Sequence, residues 1–161
     1  MRNKLTDLRD TRFVLYEQLD MNSLCKTEKF QDHSQETFDM MIETAEKLAL
    51  NQFYPVNSEG DKTGCVWEEG NVKAPETFHA PFRKYCEGGW MSLPDAYDVG
   101  GQNAPFSISF ACHELLFAAN HALTMYMGLT HSAAKVIEIY GTDEQKRKYM
   151  DKMVQGIWGG T

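Results

Sequence analysis

The chain has 161 residues, of which 42% are hydrophobic and 12% aromatic, and its formal net charge is −7. This length is enough for one domain with a buried core, and so many large apolar side chains exclude intrinsic disorder. The acidic charge excludes a general phosphate-binding surface, so we predict no nucleic-acid partner.

The cysteines and the N-terminus indicate the compartment. The four cysteines form no CxxC pair, so we predict free thiols and neither a zinc site nor a thioredoxin-like motif. The opening residues MRNKLTDLRDTRFVLYEQLD carry charges every few positions, unlike a signal peptide. No segment reaches the ~18 apolar residues of a membrane span. We therefore predict a cytoplasmic or otherwise reducing location and no membrane span.

The first part of the chain predicts a short arm and a long helix. Leucines recur at near-helical intervals over residues 1–20, which favours an amphipathic arm with at most a short helix. An apolar stripe of helical period runs from about 35 to 54, and we expect Pro55 to stop that helix. Residues 57–74 mix glycines with charges and are predicted to be a loop, with a short hairpin around residues 66–67.

The rest of the chain predicts more helices around a turn-rich connector at 90–104. Further helices are expected at 75–89, 105–120 and 121–139, and beyond Gly141. The helix at 105–120 is apolar nearly all round, so we expect it to be buried on all sides. Thr142 and Gln145 have the spacing of a capping box and mark the start of the last helix. The fold class is therefore all-α, a five-helix bundle with a strand-like end.

The residues supply no catalytic set by themselves. Di-iron sites in helical bundles use two Glu-x-x-His motifs, and Glu76-x-x-His79 has no second copy here. A zincin helix needs a second histidine four residues after His113, where Phe117 stands. Cys112 and His113 are neighbours on a helix and point about 100° apart, so they do not form a nucleophile pair. We predict no metal ligands and no catalytic residues in this chain.

Three other features have the composition of possible binding sites. Met125 and Met127 beside Tyr126 fit either a packed core or an apolar ligand cavity, because flexible thioethers suit both. The basic residues 146–148 lie beside Asp143, Glu144 and Asp151 on a predicted helix, so they are interpreted as a solvated helix face. The closing GIWGGT lacks the spacing and the following helix of a phosphate loop.

Three segments together carry a resemblance to a known family. LPDAYDVGGQNAP, IYGTDEQKRKYMDKMVQG and the closing IWGGT resemble the N-terminal helical domain of the acyl-CoA dehydrogenases, over about residues 35–161. The opening LRDTRFVLYEQLD is similar to the extension of a larger-bodied branch that includes the methylthiopropanoyl-CoA dehydrogenases. The resemblance divides the chain into an extension (1–34), the helical domain (35–156) and the first strand of a β domain (157–161). It implies that the chain is a fragment, cut before that strand's partners.

The resemblance implies a flavoenzyme when the protein is whole. In the family, FAD and an acyl-CoA thioester lie where an N-terminal helical domain, a β domain and a C-terminal bundle meet. A glutamate removes the α-proton, the β-hydride passes to the flavin, and an electron-transfer flavoprotein reoxidises it. The flavin-contacting Thr-Glu-Pro segment would begin beyond Thr161 and the catalytic glutamate much later. We therefore expect no cofactor-binding residues here, an inactive fragment without retained FAD, and a homo-oligomer at full length.

The resemblance also implies a site within this chain. Counting back from the matching Gly141, the family's acyl-cavity positions fall on Thr124, Met125 and Gly128. Glycine at 128, where medium-chain members carry bulkier or acidic groups, implies a deeper or wider acyl tunnel. Two alternatives stay open: a non-catalytic helical interaction module, and an oxidase, hydroxylase or damage-response flavoprotein of the same fold.

Overall fold

The N-terminal arm is a chain of short helical turns. A computed structural model describes residues 5–161, so the first four residues of the predicted arm lie outside the described residues. The turns are helix α1 (Leu8–Arg12), a π-helical turn (Phe13–Gln18), helix α2 (Met21–Leu24) and a 3-10 turn (Glu28–Phe30). Arg12 fastens the arm, because its guanidinium donates to Asp39 at 2.8 Å and to Glu43 at 3.0 Å.

The first long helix continues past the proline that was expected to stop it. Helix α3 (Gln35–Leu48) starts at a capping box in which Ser34 and Thr37 bond each other's backbone. It runs through a π-helical turn (Ala49–Phe53) into helix α4 (Tyr54–Thr63). The expected stop at Pro55 is therefore wrong. The π-helical turn shifts the backbone hydrogen-bond pairing before Pro55. Pro55 lies in the first turn of α4, where a backbone N–H donor is not required, so its missing N–H does not end the helix.

The glycine-rich region after α4 is shorter than predicted and contains the expected hairpin. Strands β1 (Val66–Glu68) and β2 (Asn71–Lys73) are antiparallel, with Trp67 opposite Val72. Glu69 and Gly70 both have positive φ, as a two-residue hairpin turn requires. The hairpin prediction is confirmed, whereas the first part of the predicted loop is helix.

The remaining helices agree in place with the sequence pattern. A 3-10 turn (Glu76–Phe78) leads into α5, the connector contains two 3-10 turns (Trp90–Ser92 and Tyr97–Val99), and two long helices follow. These helices are α5 (His79–Glu87), α6 (Phe106–Ala119) and α7 (His121–Tyr140). Asn120 alone separates α6 from α7, and its extended backbone makes the bend.

Helix α6 is not buried on all sides. Its inner face packs along α3, but Phe110 is 71% exposed and Phe106 is exposed one turn earlier. The prediction of full burial is wrong because apolar composition does not show on which faces a helix finds neighbours. The outer face of α6 is an apolar surface without a covering element in residues 5–161.

The last helix begins where the capping box predicted it. Thr142 Oγ1 accepts from the Gln145 amide, and the Gln145 side chain accepts from the Thr142 amide. The helix consists of α8 (Asp143–Gln145), a π-helical turn (Lys146–Met150) and α9 (Asp151–Val154). Residues 157–161 form no strand in the structure. A strand needs a partner, so a β domain starting there stays a prediction.

One main core joins the helices, and it confirms an all-α fold with a single small hairpin. Helices α3, α5, α6 and α7 bury most of it. Its largest fully buried side chains include Phe38, Ile42, Phe53, Tyr85, Met91, Leu93, Ile108, Leu115, Leu116, Leu123 and Met127. A smaller cluster of Ala134, Met150 and Met153 holds the last helix against α7.

Candidate functional site

Helix α7 is positioned by its buried N-cap. The Asn120 side chain accepts from the Leu123 amide at 3.0 Å, and its Nδ2 donates to the Phe53 carbonyl at 3.4 Å. An N-cap side chain satisfies a donor that the helix cannot pair internally. The start of α7 is therefore fixed against the π-helical turn that follows α3.

The three predicted acyl-cavity residues differ in exposure along α7. Thr124 is fully buried, and its hydroxyl lies 3.0 Å from the Leu116 carbonyl and 2.8 Å from the Asn120 carbonyl. Met125 is 38% exposed. A Cβ built on Gly128 would meet nothing within 4 Å. Thr124 thus fixes the helix from beneath, whereas Met125 and Gly128 border open space.

An exposed apolar stripe extends from Met125 along α7. It consists of Met125, Leu129, Val136, Ile139 and Tyr140, and we call it the α7 stripe. Their spacing of about four, seven and three residues places them along one side of a helix. The stripe borders Gly128, so the open position lies beside an apolar surface rather than a polar one.

A cavity of about 1010 Å³ lies between α7, α5 and the C-terminal residues 155–161. Phe78 and Phe82 form one wall, and Leu123 and Tyr126 form another. None of the three predicted residues lines it. Sequence reasoning missed this cavity because its walls come from segments far apart in the chain.

Two glycines fit the C-terminal segment against these walls. Gly156 has φ of +71°, and a Cβ there would lie 2.2 Å from Cys86 Sγ. The Gly160 amide donates to Thr130 Oγ1 on α7 at 3.2 Å. The glycines after the last helix were the sequence signal for a close approach, since only glycine tolerates both constraints.

A buried carboxylate ties the connector to α7. Asp95 accepts from His131 Nε2 at 3.0 Å and from Lys135 Nζ at 3.1 Å, and Lys135 also bonds Glu138. Burial alone raises the pKa of Asp95, but the hydrogen bonds and charges of His131 and Lys135 outweigh it, and the pKa is lowered. The carboxylate therefore stays ionised and holds the connector in place.

Two cysteines and a histidine lie in or against the main core and have shifted pKa values. Burial raises the pKa of Cys86 to about 11, with a contribution from Glu87, and that of Cys112 to about 12, so both thiols stay protonated. Burial lowers the pKa of His113, whose Nδ1 and Nε2 lie 2.8 Å from the Ser109 carbonyl and 2.9 Å from Tyr85 Oη. Residues 5–161 contain no group of three or more side chains that could hold a metal.

The cavity beside α5 and α7 carries little positive charge. A dinucleotide needs clustered backbone donors or cations for its pyrophosphate. Of the described residues that line the cavity, Arg83 alone carries a permanent positive charge, and Glu87 lines it too. An aromatic and aliphatic surface within the cavity is formed by Phe78, Phe82, Leu123, Tyr126, Leu129 and Ile157. This surface suits an apolar group, and no flavin-binding residue is assigned in residues 5–161.

The family is decided by a match over most of the chain. Residues 35–157 match the family model described as acyl-CoA dehydrogenase, N-terminal domain. The chain belongs to the acyl-CoA dehydrogenase family. The resemblance in LPDAYDVGGQNAP and the capping-box helix is thereby confirmed, and α7 is a helix of this family's N-terminal domain.

The curated relatives are acyl-CoA dehydrogenases of bacteria. A butyryl-CoA dehydrogenase of Syntrophomonas wolfei is 29% identical over 99% of this chain and 27% of its own length. A 3-methylmercaptopropionyl-CoA dehydrogenase of Ruegeria pomeroyi is 32% identical over 66% of this chain and 18% of its own. A broad-specificity linear acyl-CoA dehydrogenase of Mycobacterium tuberculosis is 28% identical over the whole chain and 26% of its own length. The chain thus spans about a quarter of these relatives.

A solved structure shares the fold. It is titled as the electron transferring flavoprotein of Acidaminococcus fermentans, in a study of flavin-based electron bifurcation. The match has a TM-score of 0.61 and 22% identity, and it covers 77% of this chain and 30% of that one.

Within residues 5–161, no helix is long and apolar enough to cross a membrane.

Proposed function

We propose that this chain is the helical wall of the acyl site in a longer flavin-dependent acyl-CoA dehydrogenase, which forms a double bond between the α and β carbons of an acyl-CoA. The observation that carries the proposal is the α7 stripe beside the open Gly128. In a domain of this family, an exposed apolar helix face of this length needs a ligand or another domain to cover it. The relatives' names support an acyl-CoA thioester as the substrate class.

The chain's own contribution is orientation and exclusion of water. Met125 and Leu129 offer apolar surface to an acyl chain, and Thr124 has no free hydroxyl to hold water there. Keeping water out and fixing the chain favour reaction at the α and β carbons. FAD bound by the rest of the protein supplies the hydride acceptor, and an electron-transfer flavoprotein is the proposed acceptor of its electrons. Residues 5–161 supply neither acid nor base, so the chain alone is inactive.

The experiment that tests the proposal is spectroscopic. The protein expressed from its complete gene is titrated anaerobically with saturated acyl-CoAs of increasing chain length while its visible spectrum is recorded. The proposal expects flavin absorption bands that bleach with some of these thioesters. A flavoprotein whose bands do not bleach with any of them would contradict the dehydrogenase and favour another flavoprotein of the same fold.

Gly128 is proposed to set the depth of the acyl tunnel. Because nothing lies within 4 Å of a Cβ at this position, a longer side chain would fill space rather than clash with the protein. In the full-length enzyme, Gly128→Glu should lower kcat/KM for long acyl chains by at least about tenfold, and for short chains far less. Val66→Glu, on the exposed hairpin, is the matched control. An unchanged chain-length profile in Gly128→Glu would contradict the assignment.

A non-catalytic interaction module is the second candidate, because the α7 stripe would serve equally to bind a protein. The same gene discriminates the two. A colourless product of 161 residues that neither binds nor bleaches with acyl-CoA would favour the module, and the α7 stripe would then be its binding surface.

A further inference from the structure

The N-terminal arm and α6 enclose a second apolar depression, away from α7. We call it the arm groove; its volume is about 800 Å³. Val14 and Leu19 of the arm face Phe110 and Phe117 of α6 across it. Three of these four side chains, Val14, Leu19 and Phe110, are exposed. So much exposed apolar surface between two helical elements is typical of an interaction site.

The edges of the arm groove are acidic. Asp10 lies on the arm side and Glu114 on the α6 side, and among residues 5–161 no lysine or arginine lines the groove. Among residues 5–161 neither carboxylate takes part in an ion pair. His113 also borders the groove, and burial lowers its pKa, so it adds no positive charge at neutral pH. The groove is therefore apolar at its centre and negative at both edges.

Arg12 of the arm lies on the side opposite the arm groove, against α3. Arg12 is bound to Asp39 and Glu43 of α3, and Tyr16 Oη donates to Asp39 at 3.3 Å. These bonds hold the arm to the domain and take Arg12 away from the arm groove. Among the described residues of the arm, no lysine or arginine forms an ion pair with Asp10 or Glu114.

We propose that the arm groove binds an amphipathic helix of another protein, with an apolar stripe flanked by lysine or arginine residues. Two helical elements form its walls, and helix-in-groove recognition uses apolar anchors at helical spacing. The α1 and π-helical turns at Leu8–Arg12 and Phe13–Gln18 are long enough to contact about three turns of a helix. Basic flanking residues complement Asp10 and Glu114.

Charge argues against a second copy as the occupant. The chain has a net charge of −7, so two copies repel at an acidic groove. The chain's basic helix at 146–148 continues into Met150 and Met153, which are already buried against α7. It therefore has no free apolar stripe to insert. No described residue that lines the arm groove belongs to α7, so the proposal does not depend on the proposed acyl site.

A model peptide tests the proposal. The probe is a fluorescein-labelled helix of about 14 residues made of leucine, lysine and alanine, with leucines on one stripe and lysines on both flanks. Binding to the 161-residue chain is measured by fluorescence anisotropy at several salt concentrations. Phe110→Ser should weaken binding at least about tenfold, because it removes the central apolar contact. The same peptide with glutamates in place of lysines should not bind.

Charge variants make the test specific. The double variant Asp10→Asn and Glu114→Gln should weaken binding about threefold to tenfold and reduce its salt dependence. Glu59→Gln with Asp61→Asn removes the same charge from exposed positions on α4 and should bind as the native chain does. Equal weakening in this control would show general attraction to an acidic protein and would overturn the proposal. Native-like binding by Phe110→Ser would overturn it as well.

Two further measurements exclude other occupants. A chain that starts at Leu5 should bind the peptide as tightly as the full chain, and loss of binding there would place the contact outside the groove. Sedimentation of the native chain should show no dimer that Phe110→Ser breaks, since such a dimer would make a second copy the occupant. Circular dichroism of Phe110→Ser should match the native spectrum, because Phe110 is exposed and outside the core.

Discussion

Gly156 holds the C-terminal segment against the domain at a position where a larger residue does not fit. Its φ of +71° costs any other residue about 1–2 kcal/mol, and a Cβ there would also lie 2.2 Å from Cys86 Sγ. We expect Gly156→Ala to lower the free energy of unfolding by about 3 kcal/mol, measured by urea denaturation at equilibrium.

A second glycine and a second variant separate the two causes. Gly70 also has positive φ, +81°, but nothing lies within 4 Å of its Cβ position. Gly70→Ala should therefore cost only the backbone strain, about 1 kcal/mol. Cys86→Ala should recover part of the loss in Gly156→Ala by removing the sulfur. Equal costs at both glycines would show that the contact with Cys86 is unimportant.

The Asp95 carboxylate gives the domain a pH-dependent stability. Its pKa in the fold is lowered below the ordinary value of about 3.9, so the folded state favours the ionised form. The stabilisation is therefore complete above about pH 5 and is lost as the pH falls through the folded pKa. Asp95→Asn should cost about 2 kcal/mol at pH 7 and flatten the decline in acid.

The neighbouring Asp98 supplies a matched control. It lies in the same connector, is exposed, and forms no ion pair with the described residues. Urea unfolding of Asp98→Asn between pH 7 and pH 3 should follow the native curve. If Asp95→Asn kept the native slope in acid, the bonds to His131 and Lys135 would not be the source of the pH dependence.

At the scale of the element, Leu15 and Met21 anchor the arm in the main core, and Leu15 anchors its π-helical turn. Leu15 is 4% exposed and packs into the main core, whereas Leu19 in the same arm is 56% exposed. Leu15→Ala should lower the free energy of unfolding by about 2–4 kcal/mol through lost burial and a cavity. Leu19→Ala should cost about 0.5 kcal/mol or less. Similar losses in both would mean that the arm is not anchored through Leu15.

Local signals predicted the elements well. The box of Thr142 and Gln145 and the hairpin turn at Gly70 depend on neighbouring residues, so the sequence contains the whole signal. The long helix continues beyond Pro55 because the backbone hydrogen bonds shift in the π-helical turn, and no side chain in the sequence predicts that shift. The exposed face of α6 depends on which elements lie beside it, and apolar composition does not show that.

The predicted acyl-cavity residues stay a prediction, and the observed cavity was missed for the same reason. Counting back from Gly141 by the family resemblance assigned Thr124, Met125 and Gly128 to an acyl cavity, and the structure places Met125 and Gly128 beside open space. The count did not show that Thr124 is turned inward and bound to backbone carbonyls. The cavity between α5, α7 and residues 155–161 requires segments about seventy residues apart to meet. The hydrophobic periodicity of one segment does not predict which distant segment packs against it.

At the scale of the molecule, the α7 stripe should make this chain associate with itself. The chain covers 27% of the butyryl-CoA dehydrogenase it matches, and Val136, Ile139 and Tyr140 form exposed apolar surface at the end of α7. Exposed surface of this kind drives association in water. We expect sedimentation velocity to show oligomers that increase with concentration and that Val136→Lys with Ile139→Lys converts to monomer. Val66→Lys with Val72→Lys adds the same charge to the exposed hairpin and should leave the oligomers intact. A native chain that stays monomeric at high concentration would show that the α7 stripe is not adhesive, and it would weaken the case that the stripe is a surface meant to be covered.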